Sequence, residues 1–471
     1  MNLKNYIYVT FLSLTAITGF SSCEKDQNAE EAVDKETAVD KWIESTMREN
    51  YYWYKDMPSA STLNFLTDPE SFFASLLSKS DGKRDDKRDY AYSYIESTAA
   101  TTRSISQTDY SYGFEFDPYR LISTGDIVAH LLYVAPNSPA SEAGLKRGDW
   151  IVTMDGKYIT SENYQTLYGG KSTELQLADY NMVEGGLELG KKVQLDTARE
   201  IEDNPVYYHS IIEWDGKKVG YLVYNHFTAG KTDDDDTYDN ELLSLSKEFK
   251  SAGVNEFVLD LRYNNGGLLT CAQLICTILA PESALGKTMC YLEYNDKQSP
   301  QKGSVSLNRN LITNGANLNL QKVYILVTDR TASASELVIN CLKPYMNVVV
   351  IGMKTEGKNV GSETYSDDKY EWELHPIVCK IYNSANQSDY ESGFTPEYIY
   401  DEAKTLNKFL PFGNTNEILL GKALSLIDGT YTKSAETKAI QEYPLKLVKI
   451  ASSLDRKATN GVVITGALVN E

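Results

Sequence analysis

Three short runs in this chain are apolar at nearly every position: residues 257–262 (Phe-Val-Leu-Asp-Leu-Arg), 323–328 (Val-Tyr-Ile-Leu-Val-Thr) and 348–352 (Val-Val-Val-Ile-Gly). Continuous apolar runs, unlike alternating ones, predict strands buried on both faces, as in a parallel sheet covered by helices. Helix-like apolar content follows the first two, over residues 268–279 and 335–342. Farther upstream, Ser138-Pro139-Ala140 predicts a short helix, residues 150–154 a strand, and Asp155-Gly156 a hairpin turn. Nearer the N-terminus, Trp42, Ile43 and Met47 recur at helical spacing, and Pro69 fits the first turn of a second helix. The mixed-charge stretch 80–88 reads as a solvated loop. The pattern predicts an α/β multidomain protein: an α/β core, a β-rich domain before it, and a small helical N-terminal domain.

Candidate chemistry sits between the last two runs. Ser333-Ala334-Ser335-Glu336 opens the helical stretch, and Lys358 follows Ser333 by 25 residues, just past the third strand. A serine hydroxyl needs a base beside it to attack at neutral pH. Of the four histidines, His130, His209, His226 and His375, none lies near this serine in sequence. A lysine serves if burial lowers its pKa. Ser333 at a helix N-terminus would also have backbone N–H groups and the positive dipole end nearby to hold an oxyanion. A capping box explains Ser333-x-x-Glu336 without any chemistry. Gly266-Gly267, at the strand-to-helix turn after residue 262, suits either a tight turn or close approach of backbone amides to a ligand.

Taken together and in order, Asp260-Leu261-Arg262-Tyr263-Asn264-Asn265-Gly266-Gly267, Ser333-Ala334-Ser335-Glu336 and Gly357-Lys358 resemble the motifs of the C-terminal processing peptidases, or tail-specific proteases. The resemblance spans roughly residues 105–425. It implies a serine endopeptidase with Ser333 as nucleophile and Lys358 as general base. It implies an oxyanion hole from the amide of Ala334 and that of Gly266 or Gly267, with Gly267 preferred. Glu336 matches a position that helps order the site. Where many members carry a glutamine four residues after the lysine, this chain has Ser362. Ser362, Glu336 or a backbone carbonyl is left to orient the amine.

Residues 135–156 resemble a PDZ domain of the bacterial protease type, a module that binds an extended peptide by adding it as a strand. The resemblance makes Tyr112-Gly113-Phe114-Glu115-Phe116 the carboxylate loop, with Gly113, Phe114 and Phe116 as substrate-binding residues. Glu115 would set a negative charge beside a substrate's terminal carboxylate.

Composition narrows the partners. A formal net charge of −20 without a basic patch excludes nucleic acid and anionic membrane surface as natural partners. Protein or peptide substrates are expected, with no metal or organic cofactor. The apolar run over residues 6–20, after Lys4, is too short for a confident membrane span and reads as a signal peptide. Phe20-Ser21-Ser22-Cys23 resembles a bacterial lipobox, which makes Cys23 the lipidated residue and the only membrane link, in an envelope lipoprotein of the outer membrane. Both the periplasmic face and the cell surface stay open. The other cysteines, Cys271, Cys276, Cys290, Cys341 and Cys379, lie in apolar contexts and read as small buried hydrophobes.

The expected layout is a leader over 1–22, an acidic tether over 23–37, and a helical domain over 38–105. A PDZ domain over 106–200 and a catalytic domain over 201–425 follow, then a motif-free tail over 426–471. The competing reading is a catalytically inactive peptide- or lipid-binding surface lipoprotein with the same fold, or a scaffold in which the PDZ region does the work.

Overall fold

The structure is a computed structural model. It describes residues 23–84, 88–98, 108–181, 186–232, 234–298, 303–367, 369–404, 409–432, 447–457 and 462–464, with side chains described from residue 37 onward. The expected leader lies outside the described residues.

A six-stranded sheet forms the centre. Glu256–Asp260, Lys322–Val327 and Asn347–Gly352 run side by side and parallel, in register Val258–Tyr324–Val349, as their continuous apolar runs require. Lys217–Tyr224 joins parallel on one side and Tyr398–Ile399 on the other, and Val206–Trp214 closes the first edge antiparallel. The helices Leu269–Leu279 and Ala334–Leu342 follow the first two core strands and bury almost every residue. One face of the sheet packs on them, through Leu259, Ile325 and Val350. The opposite face packs on the helix Ile418–Ile427, through Val258, Leu326 and Ile351. Strand and helix bounds agree with the sequence pattern to within a residue or two.

A second, five-stranded sheet in the order Gly303–Ser306, Thr288–Tyr294, Ile377–Asn383, Val360–Ser362, Val462–Val463 stands beside the first. Cys271, Cys276, Cys290, Cys341 and Cys379 are all buried and unbridged.

The β-rich region folds around its own core of Phe116, Leu131, Ile151 and Leu175. Phe114–Leu121 pairs antiparallel with Ile127–Val134, which pairs with Trp150–Met154. Asp155 and Gly156 take left-handed φ values of 50° and 72° in the expected hairpin turn. Ser138 caps the short helix Pro139–Glu142 through a reciprocal exchange with Ser141.

Two expectations change. The acidic stretch after Cys23 is helical rather than an extended tether: one helix runs Cys23–Asn50. Its Glu, Ala and Lys content favours a helix, and Ile43 and Met47 at the far end anchor it in a core with Phe72, Phe73 and Leu76. The N-terminal region is also not self-contained. Its strand Tyr94–Ser97 pairs antiparallel with Trp372–His375, and its core includes Val360, Leu374 and Ile377. Leu447–Lys449 and Val462–Val463, in a region that carries no motif, add strands to two different sheets.

Candidate active site

Ser333 stands between the strand Lys322–Val327 and the helix it opens, fully buried, with φ 59° and ψ −110°. A left-handed conformation at a residue with a side chain costs about 1–3 kcal/mol and persists only where the surroundings enforce it. They do so here. Ala332 N–H and the Ser335 hydroxyl both donate to Asn264 O, at 3.1 and 3.0 Å, so the serine turn is sewn to the loop after Asp260. Asn264 in turn donates through Nδ2 to Tyr224 O at 2.7 Å.

That loop reaches the serine through glycine. Gly266 has φ 113°, and a Cβ built on it would fall 2.9 Å from Ser333 Cβ and 3.1 Å from Ala334 N. No other residue allows this approach. Gly266 N–H donates to Asn264 Oδ1 at 2.9 Å, so it is already engaged. Gly267, with φ 135°, lies against Phe227 O, which a Cβ there would meet at 2.1 Å. Ala334 is the first residue of its helix, and its N–H has no partner within that helix.

Beneath the loop, the Asp-Leu-Arg run acquires a structural role. Arg262 is buried among Asp260, Glu402 and Glu417, at 2.7, 2.8 and 2.7 Å. Arg147, from the β-rich region, donates to the same Glu402 at 2.8 Å and to the Tyr263 hydroxyl at 2.7 Å. Removing one member of such a cluster strands the remaining buried charges, which is strongly destabilising.

Glu336 joins the serine to the lysine. One carboxylate oxygen accepts from Ser333 N–H at 2.9 Å and Lys358 N–H at 2.8 Å. The other accepts from the Thr355 hydroxyl at 2.5 Å and Gly357 N–H at 2.7 Å. Burial pushes the Glu336 carboxyl up to about 7, against the pull of those four hydrogen bonds. The expected capping arm to Ser333 is therefore present, but it is one of four.

Lys358 is buried, and burial pushes its amine down to about 8 against the opposing pull of Asp81, Glu356 and Glu336. Its Nζ lies 4.8 Å from the centroid of the Tyr92 ring. Asp81 is held by the Tyr51 hydroxyl at 2.8 Å and by Tyr92 and Ser93 N–H at 2.9 and 3.1 Å. Lys83 Nζ donates to Gly357 O at 3.3 Å. The N-terminal region thus builds one wall of the lysine's surroundings. No motif marked Asp81 or Tyr92 in the sequence; the fold alone brings them there. Ser362 is buried four residues on, in the strand Val360–Ser362.

Of the expected peptide-binding residues, Gly113 has φ 84°, and its carbonyl accepts from Ala135 N–H at 2.8 Å. The Phe114 and Phe116 side chains point into the core of the β-rich region, so neither faces outward to meet a partner. Glu115 is also buried and accepts from the Ser453 hydroxyl, so it does not stand as an open charge at a carboxylate site.

The family model for peptidase family S41 matches residues 218–400, that for the S41 N-terminal domain residues 38–94, and that for a PDZ domain residues 131–168. A crystal structure of a Bacteroides fragilis protein assigned to the S41 proteases is 42% identical, with a TM-score of 0.76, over 83% of this chain and 98% of that one. The chain belongs to peptidase family S41. Among curated relatives, the carboxyl-terminal-processing protease of Synechocystis sp. is 28% identical over 298 residues, 62% of this chain and 63% of that protein. The chloroplastic carboxyl-terminal-processing peptidase 1 of Arabidopsis thaliana is 27% identical over 245 residues, 51% of this chain and 46% of its own length. The matched region is thus less than two thirds of either curated relative. Within the S41 chain, the PDZ and N-terminal matches fall on the β-rich region and on the segment that packs beside Lys358.

Proposed function

We propose that the chain is a serine endopeptidase that hydrolyses peptide bonds of protein substrates with a Ser333/Lys358 dyad. The observation that carries this reading is the shared carboxylate of Glu336, which holds the strained Ser333 turn and the Lys358 loop by their backbone N–H groups. A capping box needs only the first of those bonds.

In this mechanism Lys358 Nζ, neutral, takes the Ser333 hydroxyl proton as Oγ bonds to the scissile carbonyl carbon. The carbonyl oxygen becomes an oxyanion held by the N–H groups of Ala334 and Gly267. Gly266 is the weaker candidate, since Asn264 takes its N–H. The C–N bond then breaks as the Lys358 ammonium returns the proton to the leaving amine. Water, deprotonated by the same lysine, cleaves the acyl ester and frees Ser333. Burial favours this role because it makes the ammonium form costly.

The PDZ region is read as a substrate-binding module, and the backbone edge beginning at Gly113 as its peptide groove. The buried Glu115, engaged by the Ser453 hydroxyl, sets no open charge in that groove against a terminal carboxylate. We also propose that Cys23 is diacylated, holding the enzyme to the outer membrane.

The test is fluorophosphonate labelling together with hydrolysis of a fluorogenic peptide. Wild type should label and turn over, whereas Ser333→Ala, Lys358→Ala and Lys358→Arg should do neither while retaining the wild-type circular dichroism spectrum. Arginine fails because its guanidinium does not give up a proton in the useful range. Turnover by purified Ser333→Ala would remove the dyad.

A further inference from the structure

The C-terminal part of the chain runs along the strand edge read above as the peptide groove and along the strand that follows Lys358. Leu447–Lys449 pairs antiparallel with the strand that follows Gly113, Leu447 opposite Leu121, Val448 opposite Arg120 and Lys449 opposite Tyr119. Ile450 N–H continues the ladder to Pro118 O at 3.0 Å. Phe116 N–H donates to Ser453 Oγ at 2.8 Å, and the Ser453 hydroxyl donates to Glu115. The tail therefore moves from residue 121 toward residue 115 as it advances, approaching the Gly113 loop as an added strand would.

It then reaches the catalytic loops. Val462–Val463 lies parallel to Val360–Ser362, Gly361 opposite Val462 and Ser362 opposite Val463. Val463 N–H donates to Gly267 O at 3.1 Å, and Ile464 N–H to Ser362 O at 2.9 Å. Val463 also bridges to Leu268. These few residues are inserted between the glycine loop beside Ser333 and the strand that follows Lys358, and Val463 and Ile464 are buried there.

A strand edge bonded to one segment cannot accept a second. A tethered segment also competes at an effective concentration of about millimolar, which a dilute substrate must exceed in affinity. We propose that residues 447–457 and 462–464 act as an intramolecular pseudosubstrate: the first occupy the PDZ groove and the second the active cleft, and substrate enters only by displacing them. The inference rests on the reading of the dyad and groove given above. It also defines the ligand class. An extended polypeptide segment fits, with a serine or threonine hydroxyl to meet Glu115 and a pair of apolar residues between Gly267 and Ser362.

The test uses the full chain with Ile450→Pro and Val463→Pro, which delete the two N–H donors without shortening the tail. The probe is a fluorescent peptide of residues 447–457. Binding is measured by polarisation in a Ser333→Ala background, where no cleavage occurs. The proline chain should bind the probe at least about tenfold more tightly than the chain with its native tail, because the competitor has been loosened. With Ser333 restored, the proline chain should cleave a short fluorogenic peptide severalfold faster than wild type, and unlabelled probe should reverse the gain. Ser453→Ala, which removes both contacts at Glu115 and Phe116 without a proline, should act in the same direction by a smaller factor. Equal probe binding by all three chains overturns the proposal. So does Ser333-dependent cleavage at one common rate, which leaves the dyad intact. Tighter binding with no cleavage by any chain keeps the pseudosubstrate and rejects the dyad.

Discussion

Ser333 and Lys358 donate their backbone N–H groups to one oxygen of the Glu336 carboxylate, at 2.9 and 2.8 Å. The geometry of the proposed dyad is thus set by a third residue that need not touch substrate. Glu336→Gln puts this to the test. Both carboxylate oxygens accept two hydrogen bonds, so an amide NH2 in either place faces two donors and leaves them unpaired. Stability should fall by about 1–3 kcal/mol. Turnover should fall by about 10–100-fold at unchanged KM. A variant that loses stability but keeps kcat would make Glu336 a helix cap and nothing more.

Activity should rise with pH with a midpoint near the Lys358 value of about 8, because the proposed mechanism uses the neutral amine as the base. The same shift predicts stability. The folded-state pKa of Lys358 lies below the unfolded 10.5, so the cost of a buried ammonium is present below pH 8. That cost is relieved as pH rises from 8 to 10.5, by about 3 kcal/mol. Glu336 has the opposite sign. Its pKa is raised, so its contribution is full below pH 4.5 and lost as pH rises through about 7. Lys358→Met should flatten the alkaline rise in denaturation midpoint and leave the acidic limb unchanged. An identical pH dependence in the two chains would contradict the buried amine.

Gly266→Ala should be inactive at wild-type substrate affinity. Its Cβ would fall 2.9 Å from Ser333 Cβ and 3.1 Å from the Ala334 amide, at φ 113°. Relief requires the glycine loop to retreat from the nucleophile. The strain and the shift should cost about 1–3 kcal/mol in urea unfolding. Full activity would mean that the loop has another stable position.

Cys23→Ser should give a protein that is neither labelled by fatty acid nor sedimented with membranes, because in the proposed lipoprotein two acyl chains on Cys23 are the stable anchor. Continued partition with membranes as an integral protein would turn residues 6–20 into a span and reject the lipobox.

How much of this could be read from residues alone depends on the range of the interaction. The three central strands were legible because a buried parallel strand must be apolar throughout, and each run names its own position. The local settings of Gly266, Gly267, Ser333 and Lys358 were legible because backbone freedom, a helix start and a strand end are local features. By its own residues Glu336 read as a cap, and only the family resemblance gave it an ordering role, since its one local hydrogen bond is visible in sequence and its three long-range ones are not. Asp81 and Tyr92 sit far from Lys358 along the chain and carry no motif; chain folding alone brings their charge and ring to the amine. Glu115 read as an open charge because its partner, Ser453, lies 338 residues away. The tail was silent for a related reason. Strand addition uses backbone N–H and C=O groups that every residue has, so a segment that fills a groove need not differ in composition from one that does not. Sequence by itself determined the fold class and which side chains could do chemistry. Tertiary structure decided how burial shifts their pKa values, what orients them, and which strand edges are already occupied.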